Sequence, residues 1–224
     1  MMTVQKIFRM ESKACFLFLA VTGLFTILLT DELAIPGPIS SVPKRESAVV
    51  SQPVRLRTSR EMKMDTILSG FKTGLKSIEN RRLIDFIHLE SRRYGFDPEL
   101  ILALIYTESS FYNWSESKKG ALGMMQIIPS TGREMAEIDT ISWTGEKEGL
   151  FDPFLNVRLG IRYLHYLTQQ FPDLYTALTA YNYGPTRVKQ WIRHGEKMPT
   201  RYANRILTTY VSYLQMKASP ENAT

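Results

Sequence analysis

Asp97-Pro98 is followed by Leu100-Ile101-Leu102-Ala103-Leu104-Ile105, and this run constrains the chain more than any other feature. Asp suits a helix N-cap and Pro suits the first helical position, so a helix starts here. Apolar residues then occupy every side of it, and a helix apolar all round has to be buried. The other patterns are helical too. Leu83, Ile84, Ile87 and Tyr94 fall near one face, ended by Gly95. Asp152-Pro153 repeats the start signal, and Leu164, Leu167 and Phe171 share a face behind it. Asp173 caps a short helix through Tyr181, broken at Gly184-Pro185. Val188, Trp191 and Ile192 mark the next, stopped by Gly195. A last helix from about Thr200 turns Tyr202, Ile206, Tyr210, Tyr213 and Leu214 inward. Ile127-Ile128 and residues 138–143 are too short or irregular to build a sheet, and no internal repeat is present. The expected fold class is mainly α, a single helical domain.

That domain does not fill the 224 residues. Lys6, Arg9 and Lys13 precede an apolar run from Ala14 to Leu29. A basic start before a short apolar stretch is a secretory signature. The run is short for a membrane span of about 20 residues, and Glu32-Leu33-Ala34 is a poor cleavage site, so residues 1–34 read as a signal peptide or a retained signal anchor. Pro36, Pro38, Pro43 and Pro53 break any helix after it. Residues 35–75 are expected to be a poorly ordered linker, and 76–218 the folded domain. This places the protein outside the cytoplasm, in the periplasm or cell envelope, with a possible attachment to the inner membrane.

Composition narrows the chemistry. Cys15 is the single cysteine, so the chain forms no internal disulfide and no cysteine metal site. His88, His165 and His194 share no short ligand spacing, so neither metal nor cofactor is expected. The net charge of +6 comes from scattered residues and reads as solubility first, with an anionic partner second. The export segment argues against nucleic acid.

Glu108 carries the chemical argument. It lies at the end of the apolar helix, where loss of water favours the neutral carboxyl and the helix's partial negative end disfavours another negative charge. A carboxyl raised in this way donates a proton near neutral pH. By position alone a solvent-facing Glu is the commoner case, since perturbed carboxylates are a minority. The residues after it are less ordinary: Glu108-Ser109-Ser110-Phe111, then Ser117-Lys118-Lys119-Gly120-Ala121-Leu122-Gly123-Met124-Met125-Gln126. Gly120 and Gly123 let backbone approach a ligand. Gln126 suits sugar amides and hydroxyls, and Met124 and Met125 offer adaptable apolar contact.

These residues resemble the soluble lytic transglycosylase family, whose catalytic domain is lysozyme-like. Its first motif is matched by Glu108, Ser109, Phe111, Ser117, Gly120, Ala121, Gly123, Met125 and Gln126, with Met124 where Leu is usual and Asn113 and Ser115 where Pro and Ala are common. Its Asp-Pro-x-x-Asn-x-x-x-Gly helix is matched by Asp152, Pro153, Asn156 and Gly160. Ala180-Tyr181-Asn182-Tyr183-Gly184-Pro185 matches a third motif, with Tyr183 for a usual Ala. The final Glu-Thr-x-x-Tyr element departs most: Pro199-Thr200-Arg201-Tyr202 lacks the Glu and is one residue short. The likeness runs from about Glu79 to Met216.

The resemblance implies a fold, a substrate and a reaction. Peptidoglycan glycan strands would be cut between N-acetylmuramic acid and N-acetylglucosamine, Glu108 acting as acid and then base and leaving a 1,6-anhydro end. Glu116 and Asp152 are candidate second carboxylates on general grounds, but neither sits in a family catalytic position. Ser117, Met125 and Gln126 would bind sugar or orient Glu108, Tyr181 and Asn182 would line the cleft, and Tyr202 would hold the Glu108 carboxyl. For Tyr181 and Tyr202 a satisfied core hydroxyl is a close rival. A goose-lysozyme-type hydrolase and a non-catalytic peptidoglycan-binding component remain the alternatives.

Overall fold

The computed structural model describes residues 57–216. The expectations for residues 1–34 and for 35–56 lie outside this range. The described chain holds eight α-helices: α1 (Ser59–Ser69), α2 (Ser77–Arg93), α3 (Pro98–Ser109), α4 (Pro129–Ile138), α5 (Pro153–Thr168), α6 (Leu174–Tyr183), α7 (Pro185–His194) and α8 (Arg201–Gln215). A short 3-10 helix, Lys147–Phe151, precedes α5. Among the described residues there is no strand, only isolated bridges pairing Leu122 with Glu116 and with Ile127. No helix among them is long and apolar enough to cross a membrane.

Helix α3 is the centre. Residues from Pro98 to Ile105 are all buried, as an apolar run of this kind requires. Its main partner is α8, with α2 on another side, while α5, α6 and α7 pack in succession and α6 also meets α8. Leu83, Ile84 and Ile87 of α2, and Leu164, Leu167 and Phe171 in and after α5, are buried as their spacing predicts. Ile206 and Tyr213 of α8 face inward, but Leu214, one position round the helix, is exposed. Ile192 is exposed as well, because α7 lies on the surface against α6 and buries Val188 instead.

Two further expectations change. Residues 59–69, expected to belong to the 35–75 linker, form α1, and Met64, Ile67 and Leu68 are buried in the core. The helix is started by a capping box in which Thr58 Oγ1 accepts from the Glu61 N–H at 3.2 Å and Glu61 Oε2 accepts from the Thr58 N–H at 2.8 Å. Asp97, expected to cap α3, makes no side-chain capping bond. It accepts instead from Arg60 of α1 at 2.9 Å and from the Tyr210 hydroxyl of α8 at 2.5 Å. Next to it, buried Glu99 is gripped by Arg60 and Lys63, each at 2.7 Å. Burial pushes the Glu99 carboxyl up, but the hydrogen bonds from the two cations outweigh it and hold the pKa below the ordinary value. Asp152 and Asp173 do cap, accepting from the Phe154 N–H at 2.8 Å and the Thr176 N–H at 2.7 Å.

Candidate active site

Helix α3 ends abruptly. Ser110 and Phe111 both take left-handed backbone, at φ 51° and 65°. For a bulky residue this is an uncommon, strained conformation. It throws Phe111 back into the core, fully buried, with its ring 4.9 Å from Phe71. Glu108 is thereby left on the last turn of α3, its carboxyl opening into a cleft of about 470 Å³.

One wall is the loop of residues 115–128. Its backbone folds on itself: Leu122 and Ile127 exchange both hydrogen bonds, and the Gly123 N–H donates to Ser115 O at 2.9 Å. The loop is pinned from below by Asn156 of α5, which is fully buried. Asn156 Oδ1 accepts from the Met125 N–H at 2.7 Å, while its Nδ2 donates to Leu122 O at 2.8 Å and Leu150 O at 2.9 Å. Gly123 sits at φ 76°, and a Cβ there would fall within 3.0 Å of the Asn156 amide and Leu150 O. A side chain at that position would dislodge the amide that holds the loop. The other wall is the end of α6, with Tyr181, Asn182, Tyr183, Gly184 and Pro185, backed by Tyr163 of α5.

Most of the residues expected to form the site converge here. Ser117, Gln126, Tyr181 and Asn182 line the cleft with Glu108. Ser117 Oγ accepts from the Ala121 N–H at 3.0 Å and the Lys119 N–H at 3.3 Å, which leaves its own O–H available to donate. Gln126, at φ 50°, spends its amide group on Ser115 O at 3.0 Å and Gly123 O at 2.9 Å. Its side-chain oxygen is not used by any protein donor among the described residues. Tyr181 is buried and donates its hydroxyl to Met125 O at 3.0 Å, tying α6 to the loop. Tyr202 of α8 donates to Glu108 Oε1.

Met125 differs from expectation. Its side chain is fully buried and does not line the cleft. It packs on Gly160 of α5, where any Cβ would collide with the thioether. Met124 is likewise fully buried. A methionine inside this loop fills core volume, which is what a flexible apolar side chain does when its backbone is held on both sides. Lys119, Thr131, Tyr163 and Tyr183 also line the cleft, although the sequence does not mark them as binding residues. Only Tyr183 carries a signal, as a departure from a motif.

Glu108 is the one carboxylate lining the cleft among the described residues. Asp152 is occupied in capping α5, and Glu116 is exposed. Burial raises the Glu108 pKa from 4.5 to about 7, against the smaller opposing pull of the Tyr202 hydrogen bond and the nearby Arg205 cation. Arg205 is positioned by stacking its guanidinium over the Tyr106 ring, 5.5 Å from the centroid. The result is a carboxyl group that is half-protonated near neutrality, in a groove lined by aromatic rings and uncommitted hydrogen-bonding groups. Such a group can give a proton and take one back.

Comparison with known proteins agrees with this geometry. The model of the transglycosylase SLT domain family matches residues 85–204. A membrane-bound lytic murein transglycosylase C from Mannheimia succiniciproducens is 31% identical over 139 residues, which are 58% of this chain and 39% of the relative. One from Actinobacillus succinogenes is 36% identical over 117 residues, 48% of this chain and 33% of the relative. The chain therefore spans well under half the length of these curated relatives. Among solved structures, an inactive variant of the lytic transglycosylase Slt from Pseudomonas aeruginosa matches with a TM-score of 0.54 and 28% identity, over 58% of this chain and 24% of that one. The 70-kDa soluble lytic transglycosylase of Escherichia coli matches with a TM-score of 0.54 and 26% identity, over 60% of this chain and 25% of that one.

Proposed function

The chain belongs to the transglycosylase SLT domain family, and from that premise we propose that it is a peptidoglycan lytic transglycosylase whose acid and base is Glu108. The observation that carries the reading is that Glu108 is the single carboxylate lining the cleft among the described residues, with its pKa pushed up by burial to about 7. Glycosidases with two carboxylates divide acid and nucleophile between them, whereas substrate-assisted enzymes let the sugar's own acetamido group take the second role. One carboxylate suits the latter.

The protonated Glu108 donates to the oxygen linking N-acetylmuramic acid to N-acetylglucosamine, and the bond from the muramyl C1 to that oxygen breaks. The muramyl acetamido oxygen stabilises the positive charge developing at C1. Glu108, now a carboxylate, takes the proton of the muramyl 6-hydroxyl. O6 closes on C1, giving a 1,6-anhydro ring and returning Glu108 to its acid form. No water is consumed. Tyr202 holds the carboxyl in one orientation through both proton transfers. Ser117 donates to an acetamido carbonyl, Gln126 Oε1 accepts from an acetamido N–H, and Asn182 contacts the strand from the opposite wall.

On this reading peptidoglycan strands are the partner and the cell envelope is the proposed location, which the membrane-bound lytic murein transglycosylases among the relatives support. Residues 1–34 are proposed to carry it there, and to keep it at the membrane if they are retained.

The test is mass spectrometry of fragments released from purified peptidoglycan by the wild type and by Glu108→Gln. Anhydro-muramyl products from the wild type are expected, with a loss of about 10²–10⁴-fold in the variant. Reducing-end products would make the enzyme a hydrolase, and equal activity of the two proteins would remove Glu108 from the mechanism.

A further inference from the structure

Two tyrosines near the end of α6 have opposite fates. Tyr181 is buried, and its hydroxyl is committed to Met125 O. Tyr183 lies two positions on and lines the cleft, with no protein hydrogen-bond partner for its hydroxyl among the described residues. Its ring is held by Trp191 of α7, the centroids 5.3 Å apart and the planes at 67°. This is the edge-to-face arrangement that aromatic pairs favour. In such a pair the contact takes an edge or one face of Tyr183, so at least one face of the ring remains uncovered by Trp191. The backbone is fixed just beyond: Gly184 takes φ 85°, its N–H donates to Ala180 O at 2.8 Å, and Pro185 begins α7. Tyr183 is therefore a pre-oriented aromatic plate with a free hydroxyl on the cleft wall.

We propose that Tyr183, braced by Trp191, is a carbohydrate-stacking subsite that receives one pyranose ring of the glycan strand; the proposal rests on the transglycosylase reading of the cleft. A β-linked amino sugar with equatorial substituents presents axial C–H groups on its faces. These carry partial positive charge and meet the electron-rich face of an aromatic ring, while the phenol hydroxyl reaches a ring substituent. An alanine at this position would offer neither. The aromatic ring is a feature of this chain's own cleft wall, and it adds affinity for the strand without touching the proton transfers at Glu108. Holding the plate in place beforehand lowers the ordering cost of binding.

The experiment is calorimetric titration with a peptide-free tetrasaccharide of alternating N-acetylglucosamine and N-acetylmuramic acid, using Glu108→Gln as the parent so that the probe survives. Adding Tyr183→Leu, which keeps apolar bulk and removes the ring, is expected to weaken binding about 3- to 10-fold. Adding Tyr183→Phe keeps the ring and should restore most of the affinity. Trp191→Leu should weaken binding by loosening the plate. The subsite is overturned if the parent binds and Tyr183→Leu, shown folded by its circular dichroism, binds equally well. It is also overturned if Phe is no better than Leu. A parent that fails to bind the tetrasaccharide would overturn the functional reading itself, and the subsite with it.

Discussion

Replacing Glu108 with Gln should stabilise the protein, and by an amount that depends on pH. The carboxyl titrates at about 7 in the folded state against an ordinary 4.5, chiefly because it is buried. The native state therefore holds its proton more tightly than the unfolded chain does. As pH rises from 4.5 the unfolded state gains by ionising first, and the wild type loses stability until the folded group also ionises near 7. At about 1.4 kcal/mol per pH unit, the loss amounts to roughly 2 kcal/mol by pH 6 and levels off at about 3 kcal/mol above pH 8. Gln mimics the protonated acid at every pH and escapes this loss. For a domain of this size, about 3 kcal/mol corresponds to a rise in Tm of roughly 6–12 °C. Thermal unfolding of both proteins at pH 4, 6 and 8 isolates the effect, since all other titrations cancel in the difference. The Tm gap should be near zero at pH 4 and open steadily to pH 8. A gap that stays constant would mean that Glu108 ionises at an ordinary pH, and the argument for a general acid would fail with it.

Tyr202→Phe removes a hydroxyl that favours the ionised carboxyl, so the alkaline limb of the pH–kcat/KM profile should move to higher pH; movement to lower pH would contradict the assignment. Asn156→Ala removes three buried hydrogen bonds, with Leu122 O keeping its bond from the Ile127 N–H, and should cost about 2–4 kcal/mol in chemical denaturation, with activity lost alongside; a cost under about 1 kcal/mol would show that the loop supports itself. Removing everything before residue 76 leaves the buried Glu99 without Arg60 and Lys63, and should destabilise the remaining domain by about 3–5 kcal/mol. Full stability of that shortened chain, measured by urea unfolding, would mean that α1 is dispensable.

The central helix and the site around it are legible in the sequence because local patterns and tertiary demands agree there. A run apolar on all sides has one destination, and the residues from Glu108 to Gln126 carry their glycines and polar groups at spacings that few loops share. Helix α1 escapes such a reading although Thr58-x-x-Glu61 spells a capping box; the prolines upstream dominate the pattern, and α1's few buried residues make a weak periodic signal. Met125 looks like a cleft residue because its neighbours in the motif are there. Which side of a loop a residue faces depends on what pins the backbone, and Asn156 lies 31 residues away. Asp97 reads as a cap from its place before Pro98, but a cation and a phenol from distant helices compete for the same carboxylate and win.

Helices α3 and α8 are joined by tyrosine hydroxyls near both ends of α3: Tyr202 reaches Glu108, and Tyr210 reaches Asp97. One fastening would make a pivot; two make a rail. With both in place α8 can neither swing about the acid nor slide along the helix that carries it, since either movement breaks a phenol–carboxylate bond. Loosening the far bolt, Asp97–Tyr210, should therefore be felt as a less steady aim at Glu108, even though nothing in the cleft has been altered.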